Sequence, residues 1–180
     1  MSSRDPFARA ADVPGFTVTS TTVRDGEQLA APQFSGAFGV EGGQDRSPQL
    51  SWSGAPEGTK GFAVTVYDPD APTQSGFWHW IVAGLPATTT ELREGAGDGA
   101  DGSLPEGAFT IANDGGSKGF LGAAPPAGDD AHRYFITVFA LDTDDVAGLA
   151  DATPAVFEFS VRGNVLGRAT LVPMGRVPAE

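Results

Sequence analysis

Short apolar runs, most of them alternating with polar residues, are separated along this chain by turn-forming segments. The 25 glycines and 14 prolines are spread between these runs rather than gathered in one tail. Alternation with a period of two indicates strands that bury one face, and glycine and proline mark the turns between them. The predicted strands cover residues 16–23, 50–52, 62–67, 77–85, 109–111 and 132–141.

The last part of the chain has a different spacing. Phe157, Val161, Val165 and Ala169 recur every four residues, which favours one face of a helix within about residues 154–168. Strands at short intervals followed by one late helix are typical of a mainly β, mostly antiparallel domain.

The 180 residues suit one domain. Residues 1–14 have no apolar period and are predicted to form an irregular N-terminal arm, and residues 15–180 a single domain. We expect a cytoplasmic protein without a membrane span. No run approaches the roughly 18 apolar residues that a span needs, and the first residues lack the apolar stretch of a signal peptide.

The formal net charge of −12 excludes broad classes of partner. Such a field repels nucleic-acid backbones and anionic lipid surfaces, although one local pocket can still accept an anion. The absence of cysteine excludes disulfides, thiolate metal sites and a cysteine nucleophile.

Two stretches differ from ordinary strand-and-turn sequence. The first is DPDAP at 68–72, followed by GFWHWIV at 76–82; the second is GFLGAAPPAG at 119–128, followed by HRY at 132–134. The two histidines of the chain, His79 and His132, each lie beside one of these proline-containing loops. A lone strand histidine is usually a structural residue bonded to backbone, and that interpretation stays open here.

Strand geometry predicts which of these side chains share a face. Strict alternation places Phe77, His79 and Ile81 on one face, and Trp78 and Trp80 on the other. Asp68 ends the preceding strand, at the edge of the sheet. An Asp-His-His set also suits a divalent metal, so a metal site or a hydrolase remains an alternative.

These motifs, in this order and spacing, resemble the phosphatidylethanolamine-binding-protein family, in its bacterial YbhB/YbcL-type branch. The family includes the Raf kinase inhibitor protein. The resemblance extends over about residues 16–172. It implies a large central antiparallel sheet packed with a smaller sheet, a few short helices and a metal-free, cofactor-free pocket at one end of the sheet.

The resemblance also implies the residues of that pocket and its ligand. Asp68, His79 and His132 match the pocket residues of the family, and its walls match Ala71, Pro72, Phe77, Pro125, Pro126 and Tyr134. Members bind phosphate-bearing headgroups and similar small anions. The resemblance further implies a cis bond before Pro72, a second cis bond between Ser75 and Gly76, and a homodimer as one assembly.

We predict a non-enzymatic binding protein for a phosphate- or carboxylate-bearing ligand. Asp68 should accept a hydrogen bond from one imidazole, so that both imidazoles and the Tyr134 hydroxyl donate to one point. Backbone N–H groups of Gly122–Ala124 should add an anion-binding nest, although Ala124 stands where the family has glycine. The alternative is a regulator or inhibitor of a protease or kinase.

Overall fold

The structure is a computed structural model that describes residues 5–98 and 103–179. Its strands, in chain order, are β1 Thr17–Thr19, β2 Leu50–Ser53, β3 Gly61–Asp68, β4 Phe77–Pro86, β5 Glu91–Leu92, β6 Phe109–Thr110, β7 His132–Arg133, β8 Phe135–Leu141, β9 Val165–Leu171 and β10 Met174–Gly175. One α-helix, α1 Pro154–Val161, and the 3-10 turns Ala31–Gln33 and Ala147–Leu149 complete the described elements.

A five-stranded antiparallel sheet, in the order β6-β4-β3-β8-β9, forms the centre of the molecule. A smaller antiparallel sheet has the order β1-β2-β5, and β7 pairs with β10 as a separate ribbon. This arrangement confirms the predicted mainly β fold, with a large central sheet and a smaller one. Strand β1 is shorter than the predicted strand 16–23.

Both faces of the central sheet are buried. On one face, Val64, Val66 and Val138 pack with Leu50 and Trp52 of the smaller sheet. On the other face lies a second apolar cluster, to which the central strands and α1 contribute: Ala63, Ile81, Ala83, Ile111, Phe139, Leu141, Val146, Phe157 and Val161. β3 lies between these two clusters, and for that reason nearly its whole length is buried.

The predicted helix is correct only in its first half. Thr153 begins α1, and its side-chain oxygen accepts a hydrogen bond from Val156 N at 3.3 Å. The helix ends at Val161, and Val165 and Ala169 instead belong to β9, where Ala169 lies opposite Val138 of β8. A spacing of four is even, so it places residues on one face of a strand as well as of a helix. The spacing alone therefore could not separate the two.

A β-bulge in β4 changes the predicted faces. Trp78 and Trp80 lie opposite consecutive residues of β3, so His79 is an extra residue between them. Trp80 consequently packs in the cluster under the smaller sheet, whereas Trp78 and Ile81 pack in the cluster with α1. The prediction that Ile81 shares a face with Phe77 and His79, and Trp80 with Trp78, is therefore wrong.

The predicted cis bonds are also wrong, because no peptide bond in residues 5–98 and 103–179 is cis. The turn between β3 and β4 is made by other means. Asp68 binds two backbone N–H groups of the turn, and Gly76 adopts a φ of 70°. A Cβ at Gly76 would lie 2.6 Å from the Asp68 carbonyl oxygen, so only glycine fits there.

Candidate functional site

Asp68, at the end of β3, is the structural centre of the site. Its side chain is buried, and Oδ1 accepts hydrogen bonds from Asp70 N at 2.7 Å and Ala71 N at 3.0 Å. Oδ2 lies 2.8 Å from Nδ1 of His132. The predicted bond from an imidazole to Asp68 is present, and all three contacts hold the carboxylate in place. Asp68 therefore orients its neighbours rather than presenting itself to a ligand.

His132 begins the β7 strand, where it lies opposite Gly175 of β10. Its Nδ1–H donates to Asp68, which fixes the orientation of the buried ring. Within the described chain Nε2 makes no hydrogen bond, so it is the ring nitrogen that a ligand could use.

A salt bridge that the sequence analysis missed joins the two motifs. Arg133 donates to Asp70 through its backbone N at 3.0 Å, Nε at 2.7 Å and Nη2 at 2.7 Å. The hydrogen bond from Arg133 lowers the pKa of the Asp70 carboxyl group, and the same bond raises the pKa of Arg133. This contact holds the DPDAP turn against β7 and so keeps Asp68 beside His132. Both residues were within the quoted motifs, but nothing in the sequence indicated that they pair.

His79, at the bulge of β4, lies in a different electrostatic environment from that of His132. The ring is 5% exposed, and its Nδ1 lies 2.8 Å from the carbonyl oxygen of Leu121, to which it donates. Burial lowers the pKa of His79, outweighing the opposing effects of that carbonyl and the Asp68 charge. At neutral pH the ring is therefore mainly neutral, and its remaining nitrogen can only accept a hydrogen bond. The prediction that both imidazoles donate to an anion holds for His79 only after it takes up a proton.

Tyr134 packs against His79. The two rings meet edge-on, with centroids 5.3 Å apart, and the buried Tyr134 hydroxyl lies beside the Asp68 carboxylate. Burial, followed by the nearby Asp68 charge, raises the pKa of the hydroxyl, which therefore stays a proton donor. Tyr134 interrupts the predicted strand 132–141, because its backbone N–H donates to Pro173 rather than to the central sheet. A Cβ at Gly175 would lie 2.6 Å from the tyrosine ring, so glycine permits this packing.

A small cavity lies behind these rings. It measures about 10 Å³, and its lining includes His79, Tyr134 and Gln33. Gln33 is buried, and its Oε1 has no hydrogen-bond partner among the described residues. A space of roughly this size holds one water molecule. It is too small for a phosphate, and neither Gln33 nor this cavity was anticipated from the sequence.

The backbone nest predicted at Gly122–Ala124 does not form as expected, since protein groups already use two of its three N–H donors. Gly122 N donates to Oδ1 of Asp45 at 2.9 Å, and Ala123 N donates to the Gln33 carbonyl at 3.0 Å. Burial raises the pKa of Asp45, but hydrogen bonds from Ser35 and several backbone groups outweigh it, so the pKa is lowered overall. An internal carboxylate therefore occupies the position predicted for a ligand anion.

The predicted wall residues divide between two places. Ala71 follows Asp68 in the turn, with Pro72 next to it, and the Phe77 ring lies 4.8 Å from that of His79. In contrast, Ala124, Pro125 and Pro126 line a separate groove of about 840 Å³, whose lining includes none of Asp68, His79 and His132.

Metal binding was the alternative for the Asp-His-His set. Among residues 5–98 and 103–179, no three His, Asp or Glu side chains are placed to hold a metal ion. Both Asp68 oxygens and Nδ1 of each histidine bind protein groups.

The fold and this site together define an antiparallel β protein with a histidine–carboxylate cluster at one end of its central sheet. The family model described as phosphatidylethanolamine-binding protein matches residues 19–174. YbcL of Escherichia coli is 46% identical over 165 residues, which cover 92% of this chain and 90% of YbcL. YbhB of the same organism is 42% identical over 155 residues, covering 86% of this chain and 96% of YbhB. This chain therefore belongs to the phosphatidylethanolamine-binding-protein family.

Solved structures agree with that assignment. The crystal structure of E. coli YbcL superimposes with a TM-score of 0.86 at 45% identity, covering 91% of this chain and 99% of YbcL. A carboxypeptidase Y inhibitor, solved with its cognate proteinase, has a TM-score of 0.50 at 18% identity, covering 84% of this chain and 76% of the inhibitor. At that identity the likeness shows the fold alone.

The cellular location of this chain is a separate question from its fold. Across the described ranges, no helix is long and apolar enough to cross a bilayer. A relative in Mycobacterium tuberculosis, LppC, is named as a lipoprotein. The cytoplasmic assignment of this chain therefore stays a prediction.

Proposed function

We propose that this chain binds, without chemically changing it, a small ligand that carries a phosphate or carboxylate group. The observation that carries the proposal is the bond between His132 Nδ1 and Asp68 Oδ2, 2.8 Å long and buried. It orients an imidazole whose other nitrogen makes no hydrogen bond in the described chain. Nε2 of an imidazole held in this way can accept from a ligand group that carries a proton, and the imidazolium form donates a charge-assisted hydrogen bond to a ligand oxygen.

The other residues of the cluster would contact the ligand in different ways. Neutral His79 supplies an acceptor, and the Tyr134 hydroxyl is buried beside the Asp68 carboxylate. Because the cavity behind the rings is only about 10 Å³, the ligand would lie on the outer side of the cluster. Ala71, Pro72 and Phe77 would then form its wall. The net charge of −12 opposes anion entry, so we expect affinity of about micromolar or weaker for bare phosphate.

The affinity should depend on pH in a defined direction. Burial lowers the pKa of His79, and a nearby anion favours its protonated form. Binding therefore takes up a proton at His79, and affinity should rise as pH falls from about 8 to about 5.5. Above that range His79 offers only a lone pair, which suits a ligand oxygen that carries a proton.

The test is a titration with inorganic phosphate, phosphoethanolamine and acetate, followed by NMR of the imidazole nitrogens. The chain has two histidines, so each of the variants His79→Ala and His132→Ala assigns one set of signals. Both signals should shift on binding, and either variant should weaken binding at least tenfold while the domain stays folded. Arg24→Gln, at an exposed position, is the matched control and should bind normally. Binding that is flat with pH, or untouched by both histidine variants, would put the ligand elsewhere.

Two alternative functions predict different results in experiments with variants. A regulator of a protease or kinase would lose activity on substitution of surface residues but not with His132→Ala. An enzyme would turn over a phosphate or acyl ester, and Asp68→Asn would abolish that turnover. Native mass spectrometry of the purified chain would also reveal a retained ligand and test the predicted homodimer.

A further inference from the structure

A second groove, distant in the sequence from the motifs above, lies between the N-terminal arm and α1. Its volume is about 600 Å³, within the range of small-molecule sites. The apolar part of its lining comes from the arm, from α1 and from β8 and β9: Pro6, Phe7, Ala10, Ala11, Val13, Phe139, Ala155, Phe157, Phe159, Val161 and Val165.

The α1 helix, which forms one wall, is apolar on its outer as well as its inner side. Phe157 and Val161 are buried against the sheet, but Val156 is 51% exposed and Phe159 66% exposed. A helix that is apolar all round is normally covered on every side. The opposite wall is held by Phe7, whose ring packs edge-on against Phe139, 6.4 Å between centroids.

Three arginines surround this apolar floor. They are Arg9 of the arm, Arg162 after α1 and Arg168 of β9. In residues 5–98 and 103–179 no carboxylate lies within 4.0 Å of any of them. The chain has 11 Lys and Arg residues against 23 Asp and Glu. Three arginines against one carboxylate, that of Glu158, in the lining of this groove are therefore a local reversal of the overall charge.

Two of these arginines are held in position by aromatic rings. Arg168 lies over the Phe7 ring at 4.6 Å and donates from Nη1 to the Ala11 carbonyl at 3.1 Å. Arg162 lies over the Phe159 ring at 3.7 Å. Stacking leaves the other N–H groups of a guanidinium available to an anion.

We propose that this groove binds an amphiphile with one anionic headgroup and an alkyl chain, the chain on the apolar floor and the headgroup among Arg9, Arg162 and Arg168. The proposal does not depend on the histidine site. Fatty carboxylates, alkyl phosphates and alkyl sulfonates share this chemistry.

Glu158 of α1 makes the binding pH-dependent. It lines the same groove, and burial raises its pKa to about 6. The other charged groups in the lining of the groove are Arg9, Arg162 and Arg168. At pH 7.5 the Glu158 carboxylate repels an anionic headgroup. Protonation below about pH 6 removes that repulsion, so occupancy should strengthen on acidification.

Calorimetric titration with alkanesulfonates, below their micelle concentrations, tests the proposal because the sulfonate stays charged at every pH used. Each added methylene should increase affinity about fourfold, so decanesulfonate should bind about 15-fold more tightly than octanesulfonate. Decyltrimethylammonium, which has the same chain and a cationic head, should bind more weakly than decanesulfonate. Affinity for decanesulfonate should rise between pH 7.5 and 5.5, and Glu158→Gln should remove that rise.

Variants locate the site. Arg162→Gln should weaken decanesulfonate binding about tenfold, the loss expected for one charge-assisted hydrogen bond. Ala155→Trp, at an exposed position on the groove wall, should block binding while the urea midpoint stays near that of the parent chain. Arg24→Gln is the matched control for removal of one exposed positive charge, and His132→Ala should also leave binding unchanged.

Three results would overturn the proposal. The first is affinity that does not depend on chain length or headgroup sign. The second is loss of decanesulfonate binding in His132→Ala, which would assign the ligand to the histidine cluster. The third is a dimer that dissociates on Phe159→Ser and binds no sulfonate, which would assign the groove to a second copy of the chain.

Discussion

Replacing Asp68 with asparagine should reverse the tautomer of His132 without opening the turn between β3 and β4. The amide oxygen can still accept the N–H groups of Asp70 and Ala71, which now bind Oδ1. The amide nitrogen takes the place of Oδ2 and can only donate. Nδ1 of His132 must then accept, and its proton moves to Nε2.

The energetic effect follows from the contacts of Asp68. In Asp68→Asn, three hydrogen bonds to a carboxylate become bonds to a neutral amide, so we expect the free energy of unfolding to fall by about 1–2 kcal/mol. Asp68→Ala leaves three buried donors without an acceptor and should cost about 3–5 kcal/mol. The second value is a large part of the roughly 5–15 kcal/mol that stabilises a typical domain.

Imidazole ¹⁵N NMR at alkaline pH would report the tautomer, and urea unfolding would report the stability. Asp129→Asn, an exposed position, is the matched control and should change neither measurement. Retention of the proton on Nδ1 in Asp68→Asn would show that Asp68 does not set the tautomer. A loss below about 1 kcal/mol in Asp68→Ala would show that its hydrogen bonds contribute little to stability.

Three further perturbations test other contacts. The pKa of Asp70 is depressed in the folded chain, so its pair with Arg133 should add stability above about pH 4 that is lost as pH falls below that value; Arg133→Gln should remove this dependence in urea unfolding across pH 3–6. Gly122→Ala places a Cβ 2.4 Å from a backbone carbon and should destabilise by about 1–3 kcal/mol, whereas Gly148→Ala, with nothing within 4 Å, should not destabilise. Thr153→Ala removes the side-chain cap of α1 and should lower the free energy of unfolding by about 1 kcal/mol, measured in the same way.

Local sequence determined most of the strands and the place of the site along the chain. Short apolar runs bounded by turn residues located the central strands, which are buried on both faces, and alternation located β1 and β2 of the smaller sheet. The motif resemblance brought Asp68, His79, His132 and Tyr134 together, and the structure has them in one buried cluster. Whether a ligand binds there remains a prediction, since contacts within the protein do not test it.

Tertiary contacts decided the remaining features of the strands and of the site. The bulge at His79, the pairing of Val165 and Ala169 in β9, and the use of Gly122 N by Asp45 each depend on a partner far away in the sequence. A residue spacing describes which faces are apolar, but it does not say which backbone groups another segment has already bound. The same applies to the partners of the two rings: His79 donates to the Leu121 carbonyl and burial lowers its pKa, whereas His132 donates to the Asp68 carboxylate. The sequence determined that two histidines belong to one site, and only the packing around each ring decided that they are not equivalent.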